Sequence, residues 1–446
     1  MTGRNSYSKW LEVRSVASSA AVGDPGSASA RVDKLLEYDN PASPEYAMAR
    51  FAAETVVSEV PGATLEEQEA LLDARLQDAL LAQDAAEDLA NTDARLGVEA
   101  EAAVSALREA RFTDADTALA VAEESGIDAP TRARIRSVRA QAALVRGDAT
   151  AAAGHYVAGG EYLETEEYDP ESLEEAMLFR SLAVGRLVRH ADMFGGDGAW
   201  IGDAMELCNA NIRRRDTDVW NQGARQMDAG AVQLSAGRLK AASEALDLFQ
   251  GAEYSFRIAS RHFDNGGFSR DWAAAQNACG LAQAHFCFRF EEAMGKPPHE
   301  GSWAGAEDCY RTAMAVQLNA WPMQWAKTRI NLGYLLVHRG RTEGGEAGEK
   351  WLRQAVEDCH GAQEALRADV ETDVWVDAQQ ILAEALLELA EIASPEDATN
   401  HLLQAMVELT TAKDVLAGAE ELPFENARVE RLMARLERQT ALRGGA

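Results

Sequence analysis

The sequence predicts an all-α fold, a stack of helical hairpins, and three observations predict it. Four tryptophans and a phenylalanine, Trp220, Trp272, Trp325, Trp375 and Phe424, recur at gaps of 52, 53, 50 and 49 residues. A repeat of this order marks an array in which each unit is one supersecondary element stacked on the next. Apolar residues fall at three- and four-residue intervals, as in Ile381, Leu382, Ala385, Leu386 and Leu389, which is the period of a helix with one buried face. Ala and Leu dominate, with Glu and Arg behind them, while Pro contributes only 11 residues. That is a helix-forming vocabulary. No alternating strand segment, hairpin signal or βαβ unit is present.

Three regions follow from the pattern. Residues 1–60 form an N-terminal tail with short helices: Ser, Ala and Gly surround Gly23-Asp24-Pro25-Gly26, a short helix is expected near Trp10, and another from Pro44 to Val60. Residues 61–215 form a first set of helical repeats. Pro61-Gly62 breaks the chain, and Thr64-Leu65-Glu66-Glu67 is a capping box opening a helix from Leu65 towards Leu89. In such a box the Thr hydroxyl and the Glu carboxylate each take a free backbone N–H. Residues 216–446 hold the lengthened, aromatic-anchored repeats and a terminal cap. Asp128-Ala129-Pro130, Asp169-Pro170-Glu171 and Ser394-Pro395-Glu396-Asp397 each set a capping oxygen before a Pro in the first turn. Gly147, Gly237 and Gly340 stand where helices are expected to end.

Charge and cysteine usage narrow the function. The formal net charge of −30 repels nucleic acid phosphates and anionic membrane surfaces, so neither is an expected partner. The acid is uneven. Leu65 to Asp128 and Glu161 to Glu175 are acidic, whereas Arg132, Arg134, Arg136, Arg139 and Arg146 form a basic helix between them. Pairing between neighbouring helices is expected to absorb part of that opposition. The five cysteines are odd in number and lie in helical patterns, which points to a reducing cytoplasm rather than a disulfide framework. No run of 18 apolar residues is present, so no membrane span is expected. SVASSAAV near the N-terminus is too polar for the apolar core of a signal peptide.

The repeats carry a finer pattern. Ala320-Trp321-Pro322-Met323-Gln324-Trp325-Ala326 is followed by Asn331-Leu332-Gly333 and then by Gly340-Arg341. Trp272 is followed by Gln276-Asn277 and Cys279-Gly280, and Trp375 by Gln379, Leu382 and Ala383. The small residue eight places after each aromatic (Gly280, Gly333, Ala383) suits the closest approach of two helices. The Trp220 unit has Asp228 at that place. In the first half, Ala140, Ala143, Gly147, Ala152 and Tyr156 repeat the small-small-Gly-small-aromatic offsets, and Phe112, Ala115, Leu119 and Ala122 match the second helix of a preceding unit.

Over residues 95–435 this resembles the tetratricopeptide-repeat (TPR) superfamily, and within it bacterial proteins whose lengthened units read Trp-Ala, Asn-Leu-Gly and Gly-x-Arg. The resemblance implies a right-handed α-solenoid of TPR-like helical hairpins. It implies a non-enzymatic scaffold or adaptor whose concave groove takes a partner peptide or helix. Carried over position by position, the groove residues are Arg134, Ser137 and Gln141; Gln222 and Arg225; Asn277 and His285; Lys327, Tyr334 and His338; and Asp377, Gln380 and Glu384. This set is polar and mixed in sign. The partner is another protein or peptide, basic where the acidic surface takes part. The alternative is a regulatory subunit or target of an effector enzyme, such as a caspase-like (CHAT) protease in bacterial signalling or defence. The sequence leaves oligomeric state and partner identity open.

Motifs for chemistry are weak, and no catalytic residue, cofactor or metal is expected. Gly340 to Lys350 (GRTEGGEAGEK) lacks the Gly-Lys-Ser/Thr and the preceding strand of a phosphate loop. His285 and Cys287 lie two apart on a helix, about 200° around it, and so poorly share an ion with His299 and Cys309. Cys359-His360 are neighbours that diverge on a helix, no GxSxG occurs, and Ser6-x-x-Lys9 sits in the tail. Asp264-Asn265-Gly266-Gly267 lacks EF-hand spacing. Phe286, Phe288, Phe290 and Met294 read as core with a share available to a partner.

Overall fold

A computed structural model describes Val32, Leu36 and residues 44–59, 65–92, 96–125, 127–164, 170–194, 199–213, 218–318, 320–368, 372–417 and 423–444. Among the described residues there are 17 helices and no strand. The chain divides into two compact units between residues 215 and 216.

The first unit contains α1 (Pro44–Glu59), α2 (Leu65–Thr92), α3 (Gly97–Arg108), α4 (Phe112–Glu123), α5 (Ala129–Val145), α6 (Ala149–Glu164), α7 (Pro170–Phe194) and α8 (Ala199–Ile212). Each helix packs on the next, and the long α2 also packs along α5. The expected helices at Pro44 and Leu65 are present. The expected tail helix near Trp10, the capping box at Thr64 and the cap at Asp169 lie outside the described residues. Asp128 caps α5, its side chain accepting from the Thr131 amide at 2.9 Å. Phe112, Ala115, Leu119 and Ala122 form the buried face of α4, and Ala140, Ala143, Ala152 and Tyr156 are buried in the α5–α6 hairpin. Gly147 closes α5 with φ of 79°, a left-handed turn that costs glycine least. Two arginines are fully buried with partners. Arg75 on α2 donates to the Leu144 carbonyl of α5, and Arg180 on α7 grips both Glu164 oxygens at 2.6 and 2.9 Å. The predicted pairing of the basic helix is present too. Arg136 and Arg139 bind Glu123, and Arg139 also binds Asp116.

The second unit contains α9 (Val219–Leu239), α10 (Ala242–Gly266), α11 (Ser269–Met294), α12 (Glu300–Gln317), α13 (Pro322–Glu343), α14 (Gly345–Glu364), α15 (Thr372–Ile392), α16 (Pro395–Leu416) and α17 (Pro423–Gly444). Successive helices pack on each other, and α11, α13, α15 and α17 also touch their next odd-numbered neighbour. Each aromatic anchor falls in the first turn of an odd-numbered helix: Trp220 in α9, Trp272 in α11, Trp325 in α13, Trp375 in α15 and Phe424 in α17. The 50-residue period is therefore one hairpin. Trp220 and Trp272 border one cluster with Ala259, Phe263 and Ala275, while Trp325 and Trp375 border the main core. The Trp220 ring N–H donates to Asp271 of α11 at 3.3 Å, tying consecutive hairpins. The Phe424 side chain lies outside the described residues.

Glycines set the helix spacing. On α10, Ala245, Phe249, Ala252, Phe256, Ala259 and Phe263 alternate by four and three residues, and all are buried. On antiparallel α9, Gly223, Gly230 and Gly237 recur every seven. A Cβ at these three would stand 2.4, 2.5 and 2.5 Å from a ring carbon of Phe263, Phe256 and Phe249. Each phenyl knob thus enters a hole that only glycine leaves open. This explains why Asp228 can occupy the expected small position: the close approach is made at Gly230 instead. It also corrects the expected helix end at Gly237, which lies inside α9. Gly340 likewise lies inside α13, where a Cβ would meet Leu352 at 2.7 Å and the Gly348 carbonyl at 3.0 Å. That helix ends at Gly344, whose φ is 61°. At Gly280 and Gly333 the predicted close approach is present: a Cβ would meet the Tyr310 ring and the Cys359 sulfur, each at 2.8 Å.

Candidate functional site

The odd-numbered helices of the second unit carry a connected band of polar and aromatic side chains. On α13 the band is Lys327, Asn331, Tyr334, His338 and Arg341, spaced by four and three residues so that it forms one stripe. On α11 it is Asn277, His285 and Phe288. Asn331 donates to Asn277 at 3.1 Å. Phe288 stacks on His338 with ring centres 4.0 Å apart and meets Tyr334 edge-on at 5.3 Å. His285 stacks on Phe249 at 5.5 Å and lies 3.2 Å from the Arg238 guanidinium of α9.

Beyond α13 the band becomes an ion-pair ladder. Arg341 reaches Glu384 and Glu388 of α15 at 2.8 and 2.7 Å. Arg428 of α17 approaches Glu384 at 3.5 Å, and Arg435 binds Glu388 and Glu391, both at 2.8 Å. Contacts therefore run without a break from α9 to α17. Basic α13 and α17 flank acidic α15, so the opposite charges of the band pair with one another.

Burial and these neighbours set the ionisation of the band. Burial, then Arg238, holds the His285 ring down to about 3, and burial, then Arg341, holds His338 down to about 4. Both are neutral at pH 7 and act as aromatic acceptors rather than cations. Burial pushes the Glu384 carboxyl up, but its Arg341 hydrogen bond and the charges of Arg341 and Arg428 win, and it ionises below its usual range. Burial also raises the Tyr334 phenol.

The residues carried over from the repeat register meet different surroundings, and Gln222 is half-buried on α9. Asn277, His285, Tyr334, His338 and Glu384 come together in the band. Lys327 is exposed beside them, and Asp377 lies 4.0 Å from Arg428. Arg225 and Gln380 are 6% and 0% exposed and offer no groove surface. α15 is packed by α13, α14, α16 and α17, which leaves it a stripe too narrow for Gln380, and α9 is buried on the side that carries Arg225. In the first unit Arg134 is exposed on α5, and Ser137 and Gln141 are half-buried. The main polar network there centres instead on Glu123, which accepts from Arg136, Arg139 and Tyr162 at 2.6 to 2.7 Å.

Sequence reasoning missed Arg238, Glu388, Arg428 and Arg435; it read Phe288 as core with a share available to a partner and named Arg341 only within the repeat signature. A signal was available in the spacing: polar residues on α13, α15 and α17 continue at three- and four-residue steps past the carried-over offsets. Other sequence motifs dissolve into the fold. GRTEGGEAGEK spans the end of α13 and the start of α14. Cys287 is buried apart from the His285 stack, its thiol pushed by burial up to about 12. Among the described residues no three His, Cys, Asp or Glu side chains converge as metal ligands, and no helix is long and apolar enough to cross a membrane. Compared with known proteins, the chain matches no family model and no curated protein.

Proposed function

We propose that the second unit is a protein-interaction module, a non-enzymatic scaffold in which the odd-numbered helices line the inner face of a right-handed TPR-like solenoid. A partner peptide or helix lies along that face. The observation that carries this reading is the unbroken band from Arg238 through His285, Phe288, His338 and Arg341 to Glu384 and Arg428. Half-buried aromatic rings beside arginines are the side chains that dominate protein-interface hot spots. A preformed band, held by its own ion pairs, also loses little side-chain entropy on binding. The mixed signs favour a partner with both charged and aromatic or aliphatic groups over a purely basic one.

The test uses Arg238→Glu and Lys327→Glu together, since both side chains are exposed and neither is needed for the core. Partners are captured from the native host by affinity purification and identified by mass spectrometry. Hydrogen exchange then maps the bound region. The expected result is protection of α11, α13 and α15 in the complex, and loss of the partner in the double variant at unchanged helicity. Retained capture by the double variant, or protection confined to other helices, removes the reading.

A further inference from the structure

One cleft is distinct from the polar band. It opens between α10, α11 and α12 with a volume of about 450 Å³, within the ~300–1,000 Å³ span of small-ligand sites. Its lining on α12 is Gly301, Ser302 and Gly305, so that helix contributes no side chain larger than a hydroxymethyl group. The apolar lining is a pair of rings, Phe249 of α10 and Phe286 of α11. Phe249 also carries the His285 stack at 5.5 Å. The polar lining holds both signs of charge. Glu253 and Arg257 lie one turn apart on α10 and form an ion pair. Glu253 Oε1 accepts from Arg257 and, at 2.9 Å, from Gln283 Nε2. That second bond fixes the Gln283 amide and leaves its Oε1 buried without a partner. This oxygen stands over Gly305, where a Cβ would lie 2.8 Å from it. Among the described residues Glu253 Oε2 accepts no hydrogen bond, Arg257 donates no second one, and the Ser302 hydroxyl makes none. His299 Nδ1 accepts from the Gly301 amide at 3.0 Å, which leaves its Nε2–H as a further donor.

We propose that this cleft binds a free α-amino acid with an apolar side chain, held as its zwitterion. The ammonium group donates to Glu253 Oε2 and to the orphaned Gln283 Oε1. The carboxylate accepts from Arg257, the Ser302 hydroxyl and His299 Nε2–H. The side chain lies against Phe249 and Phe286. The paired charges select this class. A ligand carrying only an ammonium group would crowd Arg257, and one carrying only a carboxylate or phosphate would crowd Glu253; juxtaposed like charges are costly. A zwitterion meets each with its opposite. It also supplies the hydrogen bond that Gln283 Oε1 lacks, and a buried acceptor left unsatisfied is expensive. The interior of a peptide carries neither charge and leaves the pair unanswered. Since the Gln283–Glu253–Arg257 chain is already bonded together, little side-chain freedom is lost when the ligand enters.

The experiment titrates the folded full-length protein with L-phenylalanine and L-leucine by calorimetry, with no partner present. The expected result is saturable binding with a Kd on the order of 1 mM or tighter. Phenethylamine and 3-phenylpropionate keep the ring and one charge each, and are expected to bind about tenfold more weakly or worse than L-phenylalanine. Glu253→Gln and Arg257→Gln are each expected to weaken L-phenylalanine by about tenfold, the usual loss for a hydrogen bond to a charged group. Ser302→Trp, which fills the cleft from a half-buried position, is expected to abolish binding at unchanged helicity. No saturable heat from either amino acid at concentrations well above that Kd overturns the proposal. So does equal binding of either single-charge analogue, or undiminished binding by Ser302→Trp. The wild-type titration needs no variant to fold. It uses no partner, so it stands or falls apart from the interaction reading.

Discussion

Alanine at position 230 is expected to change the sign of its effect with the identity of residue 256. In an open helix interior, Gly→Ala stabilises by about 1 kcal/mol. Inside α9 the new methyl would stand 2.5 Å from a Phe256 ring carbon, where comfortable carbon contacts begin near ~3.5 Å. The ring must yield by about 1 Å, and overpacking of this kind costs about 1–3 kcal/mol. Gly230→Ala is therefore expected to destabilise the protein by about 1 kcal/mol. Phe256→Ala removes a ring that is 2% exposed and is expected to cost about 3–5 kcal/mol. In that background the methyl at 230 meets no ring, enters the cavity and recovers the helix preference, so the same substitution stabilises by about 1 kcal/mol. The coupling is then about 2 kcal/mol, well beyond the ~0.3–0.5 kcal/mol scatter of independent sites. Urea denaturation followed by circular dichroism on the wild type, both single variants and the double variant measures it, with hydrogen exchange localising the change to α9 and α10. If Gly230→Ala stabilises equally in both backgrounds, the knob-in-glycine account of this hairpin is refuted.

Two further outcomes follow from backbone strain and titration. Ala110, between α3 and α4, has φ of 56°, and its neighbours close a turn in which the Arg111 amide bonds the Ala106 carbonyl at 2.8 Å. A Cβ in this left-handed region costs about 1–2 kcal/mol, so Ala110→Gly is expected to raise stability by roughly 0.5–1 kcal/mol after its entropic cost; an unchanged or lower urea midpoint counts against the strain. His338, held by burial down to about 4, binds its proton more weakly in the folded than in the unfolded chain. Its contribution is therefore complete above the ordinary histidine value near ~6.5 and drains away as the pH falls towards that folded value. Between neutrality and about pH 5 it amounts to a loss on the order of 2 kcal/mol, which His338→Phe is expected to remove while keeping the stack on Phe288. An equally steep acid loss in that variant assigns the slope to His285 and His155, which burial also lowers.

The helical hairpins were legible because their signals are local. Period, capping oxygens at Asp128 and Ser394, and the aromatic anchors each act within a few turns, and each anchor does open an odd-numbered helix. The helix ends at Gly237 and Gly340 were misplaced for a complementary reason. A glycine that ends a helix and a glycine that admits a neighbour's ring look the same in one dimension. Only the facing element, Phe249 or Leu352 here, separates them. The polar band was half visible: Asn277, His285, Tyr334, His338 and Glu384 fall on it by register, while Arg225 and Gln380 are buried by helices packed from several sides.

By itself the sequence determined the class of structure: an all-α chain, its hairpin period, and the residues that begin each repeat, since these follow from short-range backbone and side-chain preferences. The tertiary structure alone decided which glycines receive rings and which polar residues reach the surface. Those properties depend on which side of one helix faces another, and that is settled by packing between elements distant in sequence.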